Sequence, residues 1–250
     1  VIHFSGGVAH NVVWNTKLKK AFPNLIVAPQ CDDEGISLGA LWQVAQEYNI
    51  DLRCHHLPSF PYCQDDEAPS TTASIGTIET VAEALAQGKI VGWYQGNGEI
   101  GPRALGNRSL LFNPTISNGR DIVNKVKKRE GFRPFGASVL HEYKHEYFDN
   151  TIEDKYMLYT ANVLPNRSLP AITHVDGSCR VQSVDKSNDI FYDLLQKFYE
   201  LTNCPVLLNT SLNIAGKPIA GSVDDCKWMI DNMAIDIMVI GDEIIYNESI

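Results

Sequence analysis

The sequence predicts an α/β protein, and three observations carry that prediction. Short apolar runs rich in Val, Ile, Leu and aromatic residues alternate with stretches whose apolar positions recur near a 3.6-residue period. Gly, Pro and acidic clusters separate the two kinds of segment. The 250 residues are 44% hydrophobic and 20% charged, an ordinary globular composition with length enough to bury a sizeable core.

The elements follow in order. Val1–Ser5 (VIHFS) alternates as a strand and runs into Gly6-Gly7; Asn11–Phe22 carries a helical stripe of Val12, Leu18 and Ala21. Leu25–Ala28 is a second strand stopped by Pro29, and Gly35–Asn49 is a helix with Ile36, Leu41, Val44, Ala45 and Tyr48 on one face. Asp32, Asp33 and Glu34 at its entry suit the helix dipole. Leu57–Ser74 (LPSFPYCQDDEAPSTTAS) has no periodicity and reads as a linker at a domain boundary. Thr77–Gln87 is a helix ended by Gly88, and Lys89–Tyr94 (KIVGWY) a strand. Asp121–Lys128 is helical, with Ala137–Leu140 and Tyr156–Ala161 weaker strands beyond it. Thr173–Val184 alternates about Asp176-Gly177 as a hairpin. Ser187–Thr202 is a helix capped by Ser187, with Ile190, Phe191, Leu194, Leu195, Phe198 and Leu201 as its buried stripe. Pro205–Asn209 is a buried strand leading into the polar turn Thr210–Gly216. Ser222–Met233 opens on a capping-box pair, Ser222 and Asp225, and Ile237–Ile240 with Glu243–Tyr246 close the chain as a hairpin turning at Gly241-Asp242.

A net charge of −9 argues against nucleic-acid or anionic-membrane binding by bulk charge, and no apolar run approaches the ~20 residues that span a bilayer. Six scattered cysteines without a CxxC pair fit reduced thiols, hence a cytoplasmic location. Cys54-His55-His56 with Cys63 matches no common zinc spacing. A chain that opens on Val1 directly in a strand is expected to be a piece of a longer protein.

Within this acidic chain, positive charge gathers in two places. Gly98–Ser109 (GEIGPRALGNRS) packs three glycines, a proline, Arg103 and Arg108 into twelve positions after a strand. Such a loop can bend sharply while two guanidinium forks face an anion; the bland alternative is a surface loop whose arginines pair with acids. It is not a Walker A loop, since no Gly-Lys-Ser/Thr follows. Lys125, Lys127, Lys128, Arg129 and Arg133 form the second cluster, either a solvated basic face or part of the same anion site.

Four strings, GPRALGNRS (Gly101–Ser109), KKREGFRPFGASVL (Lys127–Leu140), THVDGSCRVQ (Thr173–Gln182) and LLNTSLNIAGKPI (Leu207–Ile219), resemble in order and spacing the O-carbamoyltransferase family of nodulation-factor and antibiotic type. The resemblance implies a YrdC-like twisted α/β domain over residues 75–250, with Lys127 and Arg129 matching its Lys-x-Arg pair and Thr210-Ser211-Leu212-Asn213 its Thr-Ser-Ala-Asn string. Residues 1–56 resemble the end of an actin-like, Kae1-like domain, leaving 57–74 as linker. Gly6 and Gly7 match its nucleotide-contacting turn. Asp33 matches one iron ligand, but the partner His-x-x-x-His pair is not in this chain, so Fe(II) is expected only in the full-length protein.

The implied reaction has two halves. Carbamoyl phosphate yields carbamate and phosphate, and carbamate attacks ATP to give carbamoyl-adenylate and pyrophosphate; an acceptor hydroxyl, on a small molecule or saccharide, then takes the carbamoyl group. ATP is a substrate, with Mg2+ as its candidate companion. Arg103, Arg108, Lys127 and Arg129 are expected to clamp the phosphates, Ser211 and Asn213 to bind nucleotide or carbamoyl groups, and Arg180 and Asn209 to assist. His174 is a candidate proton shuttle, though a hydrogen-bonded structural role is favoured. Competing readings are an enzyme of threonylcarbamoyl-adenylate synthesis or hydrogenase maturation, and a non-catalytic nucleotide- or RNA-binding module, which the acidic balance disfavours.

Overall fold

The structure, a computed structural model, describes residues 1–52, 60–63, 66–149 and 152–248. The Cys54-His55-His56 segment weighed as a zinc site lies outside the described residues.

The N-terminal segment forms a small unit. β1 (Ile2–His3) and β2 (Leu25–Ile26) pair in parallel, joined by α1 (Val12–Ala21), whose Asn11 cap accepts the Trp14 N–H at 3.1 Å. Both strands are shorter than expected. α2 (Ile36–Glu47) forms, but of its expected apolar stripe only Ala45 is buried; Ile36, Leu41, Val44 and Tyr48 are exposed. The unit meets the rest of the chain through a minor core, in which Ala9, Leu25, Val27 and Cys31 pack against Leu158 and Tyr159. Asn15 Nδ2 also donates to Leu158 O at 3.0 Å, and Thr16 Oγ1 accepts the Thr160 N–H at 2.8 Å.

The main body is an eight-stranded mixed sheet, the α/β architecture expected. Its strands are β3 (Val91–Tyr94), β4 (Arg108–Phe112), β5 (Gly136–Leu140), β6 (Thr160–Asn162), β7 (Ser178–Val184), β8 (Val206–Ser211), β9 (Ile237–Ile240) and β10 (Glu243–Tyr246), in the order β10-β9-β3-β4-β8-β5-β7-β6. α3 (Ile75–Ala86), α4 (Gly119–Val126), the short α5 (Lys144–Tyr147), α6 (Asp189–Thr202) and α7 (Val223–Asn232) complete it. The principal core joins α3 and α6 to the sheet through Val81, Leu85, Leu194 and Phe198 against Leu110, Phe112, Val139 and Leu208.

Several expectations change. β4 falls where a loop was expected to end: Arg108–Phe112 is buried on both faces, so no polar alternation marks it. The Asp176-Gly177 turn forms, with His174 N donating to Ser178 O at 2.8 Å, but its first arm is no strand; β7 pairs instead with β5 and β6. Tyr156–Tyr159 is not strand but a loop wound on Asp154, whose carboxylate accepts the N–H groups of Tyr156, Leu158 and Tyr159 at 2.6–2.8 Å. Asn188, not Ser187, precedes α6, because Ser187 is turned onto Asp185; Leu201 is exposed and outside the stripe. The Ser222–Asp225 capping box and the Gly241-Asp242 hairpin are as expected. The described part of the expected linker packs closely: Tyr62 OH donates to Leu105 O at 3.0 Å and Glu67 N to Gly221 O at 3.0 Å.

Candidate anion site and its supporting loop

Strand alternation decides which of the expected residues can meet. Register pairs Trp93 with Ser109, Ser109 with Ser211, Leu111 and Gly136 with Asn209, Gly136 with Arg180, and Ser138 with Gln182. One face of β4, β8, β5 and β7 therefore carries Ser109, Ser211, Asn209, Ser138, Arg180 and Gln182. Arg108 pairs with Tyr94 and lies on the opposite face.

That placement corrects the expected role of Arg108. Its guanidinium stacks 3.6 Å from the Tyr94 ring centroid and meets Asp66 Oδ2 at 2.7 Å, with both side chains almost fully buried. It also donates to the carbonyls of Gln95 at 2.6 Å and Gly96 at 2.9 Å. Every edge of the fork is engaged within the protein, so Arg108 locks the fold.

Lys127, Ser211 and Asn213 do converge. Lys127 follows the last turn of α4 and reaches the end of β8, where its ammonium donates to Ser211 O and, at 2.8 Å, to Asn213 Oδ1. Ser211 Oγ also donates to Asn213 Oδ1, at 2.7 Å. Burial, reinforced by the charge of Arg129, pushes the Lys127 amine down to about 7. Arg129 stands beside it, its Nε donating to Asn124 Oδ1 at 2.6 Å and its guanidinium over the Phe135 ring at 4.3 Å. Burial and then Arg133 lower it to about 10.

Arg180 and Arg103 extend this cationic group. Arg180 rises from β7 across Gly136, where an added Cβ would lie 3.3 Å from its Nε. That Nε is shielded from water and has no hydrogen-bond partner among the described residues. Burial first, then Arg103 and Arg129, bring Arg180 down to about 9. Arg103 donates to His10 O at 3.2 Å while its Nε is likewise unpartnered, and burial lowers it too. Arg108, Arg120, Arg133 and Arg167 each meet a carboxylate; among the described residues Arg103, Arg129 and Arg180 form no ion pair. Three guanidinium groups held in no ion pair among the described residues, two of which, Arg103 and Arg129, depress the third, make a candidate site for an anion.

A cleft of about 310 Å³ opens beside Arg180, walled by Val12, Arg120, Phe132, Phe135 and His174. His174 places Nε2 3.1 Å from Phe135 O and Nδ1 3.2 Å from Ser178 Oγ, and burial lowers its pKa. Both ring nitrogens are occupied, which suits the structural role.

The glycine-rich loop is held from within. Glu99 Oε1 accepts the N–H groups of Leu105 and Asn107, each at 2.7 Å, and of Arg108 at 3.2 Å. Three of the loop's amides are therefore spent on a protein carboxylate. Asn209, expected to assist ligand binding, is fully buried and donates to Ser138 Oγ at 2.9 Å and Ala104 O at 3.3 Å. It supports the loop. Sequence reading missed Glu99 and Gln182; an acid inside a Gly/Arg-rich string was the available signal for Glu99, and Gln182 offered none.

Gly6 and Gly7 begin the turn whose His10 carbonyl accepts from Arg103, and Gly6 N donates to Cys31 O at 2.6 Å. Gly6 has φ +97° and an open flank, and a Cβ on Gly7 would come within 3.5 Å of the Asp32 carboxylate. Asp33 lies exposed in a short 3-10 turn, Asp33–Gly35, and no described His, Cys or second carboxylate converges on it, so the described residues do not fit an iron centre there. The group that does converge is His10, Asp32 and Glu34, with His10 Nε2 3.4 Å from Glu34 and 3.8 Å from Asp32.

Residues 82–247 match the family described as carbamoyltransferase C-terminus, and the chain belongs to that family. Among curated relatives it is 37% identical to the 3'-hydroxymethylcephem-O-carbamoyltransferase of Amycolatopsis lactamdurans, over 96% of this chain and 48% of that protein. It is 36% identical to nodulation protein NolO of Bradyrhizobium diazoefficiens, over 95% of this chain and 47% of the relative. The chain thus spans about half the length of these relatives. Among solved structures, full-length HypF aligns with TM-score 0.46 and 18% identity over 65% of this chain and 24% of its own. Sua5 of P. abyssi aligns with TM-score 0.44 and 18% identity over 67% of this chain and 47% of its own. Among the described residues no helix is long and apolar enough to cross a membrane.

Proposed function

We propose that this chain carries the activation half of an O-carbamoyltransferase, forming carbamoyl-adenylate from carbamoyl phosphate and ATP for transfer to an acceptor hydroxyl. The observation that carries the reading is the set Arg103, Arg129 and Arg180, largely withdrawn from solvent and in no ion pair among the described residues, with Lys127 beside Arg129. Family membership supports a carbamoyl donor as the source of that anion.

The chemistry balances as follows. Water cleaves carbamoyl phosphate to carbamate and inorganic phosphate. A carbamate oxygen then attacks the α-phosphorus of ATP, the bond to the bridging oxygen breaks, and pyrophosphate departs. Negative charge grows on the non-bridging oxygens and the leaving group, where Arg103, Arg129 and Arg180 supply fixed positive charge without reorganisation. Lys127, held by Ser211 and Asn213, stands ready to follow the carbamoyl oxygen or the α-phosphate. The cleft walled by Phe132 and Phe135 suits a purine ring.

ATP–pyrophosphate exchange tests this directly. Exchange should depend on carbamoyl phosphate and be abolished by Arg180→Ala. Exchange driven instead by threonine with bicarbonate would move the chain to the threonylcarbamoyl-adenylate class, and exchange with neither donor would overturn the activation reading.

A further inference from the structure

Glu99 is 2% exposed, and its carboxylate forms no ion pair among the described residues. Its Oε1 gathers three backbone donors, Leu105 N and Asn107 N at 2.7 Å and Arg108 N at 3.2 Å, while Oε2 is sealed from water with no hydrogen-bond partner among the described residues. Three amides closing on one carboxylate oxygen form an anion nest whose occupant belongs to the protein itself.

The outer side of the same loop is anchored as firmly. Leu105 O accepts from Gln182 Nε2 at 2.7 Å, Tyr62 OH at 3.0 Å and Asn188 Nδ2 at 3.2 Å. Gly101, at φ +97°, leaves 2.4 Å between a would-be Cβ and Pro29 O; Gly106, at φ +116°, leaves 2.3 Å to the Phe191 ring. Both are glycine because of this contact and this backbone conformation. Pro102 and Arg103 lie between these anchors, and Arg103 is the loop's contribution to the cationic group around Arg180.

We propose that Glu99 is a positioning residue for phosphate binding: by drawing the Leu105, Asn107 and Arg108 amides onto its carboxylate it fixes the loop curvature that aims Arg103 at the Arg180 cluster. The inference rests on the reading of that cluster as a phosphate site. Glu99 itself touches no ligand. A neutral or shorter side chain would leave buried amides without a charged acceptor, and the loop would relax away from Arg180.

The test is calorimetric binding of inorganic pyrophosphate, with melting curves alongside, for wild type, Glu99→Gln, Glu99→Ala, Arg103→Ala and the Glu99→Ala/Arg103→Ala double variant. Formate is added in a second series as a small carboxylate able to refill the nest. Glu99→Ala should bind about tenfold to a hundredfold more weakly, and Glu99→Gln should fall between it and wild type. Formate should strengthen binding to Glu99→Ala and leave wild type unchanged. In the Arg103→Ala background removal of Glu99 should have little further effect, because its action passes through Arg103. Unchanged affinity in Glu99→Gln and Glu99→Ala, or additive losses in the double variant, would overturn the proposal. So would formate that restores the melting midpoint but not binding. If Glu99→Ala does not fold, Glu99→Gln, which keeps an acceptor oxygen, decides alone. A wild type that fails to bind pyrophosphate overturns the phosphate-site reading and this inference together.

Discussion

Replacing Arg180 by methionine should make the protein more stable and less able to bind phosphate, two changes of opposite sign from one substitution. Arg180 is brought down from the ordinary guanidinium range to about 9, chiefly by burial and then by Arg103 and Arg129, against a smaller opposing pull from Asp154 and with no ion pair among the described residues. At about 1.4 kcal/mol per unit, holding that charge in the ligand-free protein costs a few kcal/mol. The depressed value still exceeds neutral pH, so the charge and its cost are present under assay conditions. Replacing poorly compensated buried charge by an apolar chain of similar length typically gains about 1–4 kcal/mol. Met157 and Phe135 are already on hand in the core nearby. We take ~1–2 kcal/mol as the net gain, a rise of roughly 2–8 °C in melting midpoint for a chain of this size. Pyrophosphate at a hundred times its Kd adds about 2.7 kcal/mol to wild type; a tenfold loss of affinity cuts that increment to about 1.4 kcal/mol. Thermal melting with and without pyrophosphate reads both quantities. A lowered midpoint together with an undiminished pyrophosphate increment would refute the reasoning, since it is the signature of an arginine that holds the fold.

Three further outcomes follow from the same geometry. Lys127, down to about 7 in the free protein, must be protonated to attract phosphate, so affinity should decline as pH rises through 7 and binding at pH 8 should take up a proton. Calorimetry in buffers of different ionisation enthalpy measures that uptake, and its absence, or a decline that persists in Lys127→Met, would count against the assignment. Arg108→Ala strands the buried Asp66 carboxylate and should cost about 3–5 kcal/mol in denaturant titration, while Arg108→Ala/Asp66→Asn should recover part of it. Gly136→Ala places a methyl 3.0 Å from Met157 Sδ and 3.3 Å from both Nε and the backbone O of Arg180; the side chains can yield but the carbonyl cannot, so the variant should lose about 1–3 kcal/mol in denaturant titration while pyrophosphate binding weakens.

Much of the fold was legible because its helices are amphipathic and its turns carry their own chemistry. α6 shows its buried stripe in Phe191, Leu194, Leu195 and Phe198, and Ser222 with Asp225 announces α7. β4 was not legible, since a strand buried on both faces shows no alternation and here begins at an arginine. α2 misled in the other direction. Its periodicity is real, but periodicity shows only that a helix has an apolar face, and Ile36, Leu41 and Val44 have no cover among the described residues.

The site divides along the same physical line. Lys127, Ser211 and Asn213 could be paired from sequence because two short motifs each keep their spacing wherever they fold. Arg103 and Arg108 stand equally close in the loop string, yet strand parity separates them: once β4 starts at Arg108, its side chain must share a face with Tyr94, and Ser109 must share one with Ser211. The same rule promotes Arg180, two positions from Gln182 on β7 and opposite Gly136, from an assisting residue to the centre of the cationic group. An arginine on the Tyr94 side pairs with Asp66 and becomes structural; Arg180, on the Ser211 side, forms no ion pair among the described residues and feels Arg103 and Arg129, with Asp154 a weaker opposing charge. Partner charge, set by which face of the sheet a residue occupies, separates the arginines that hold this fold from those left to bind an anion.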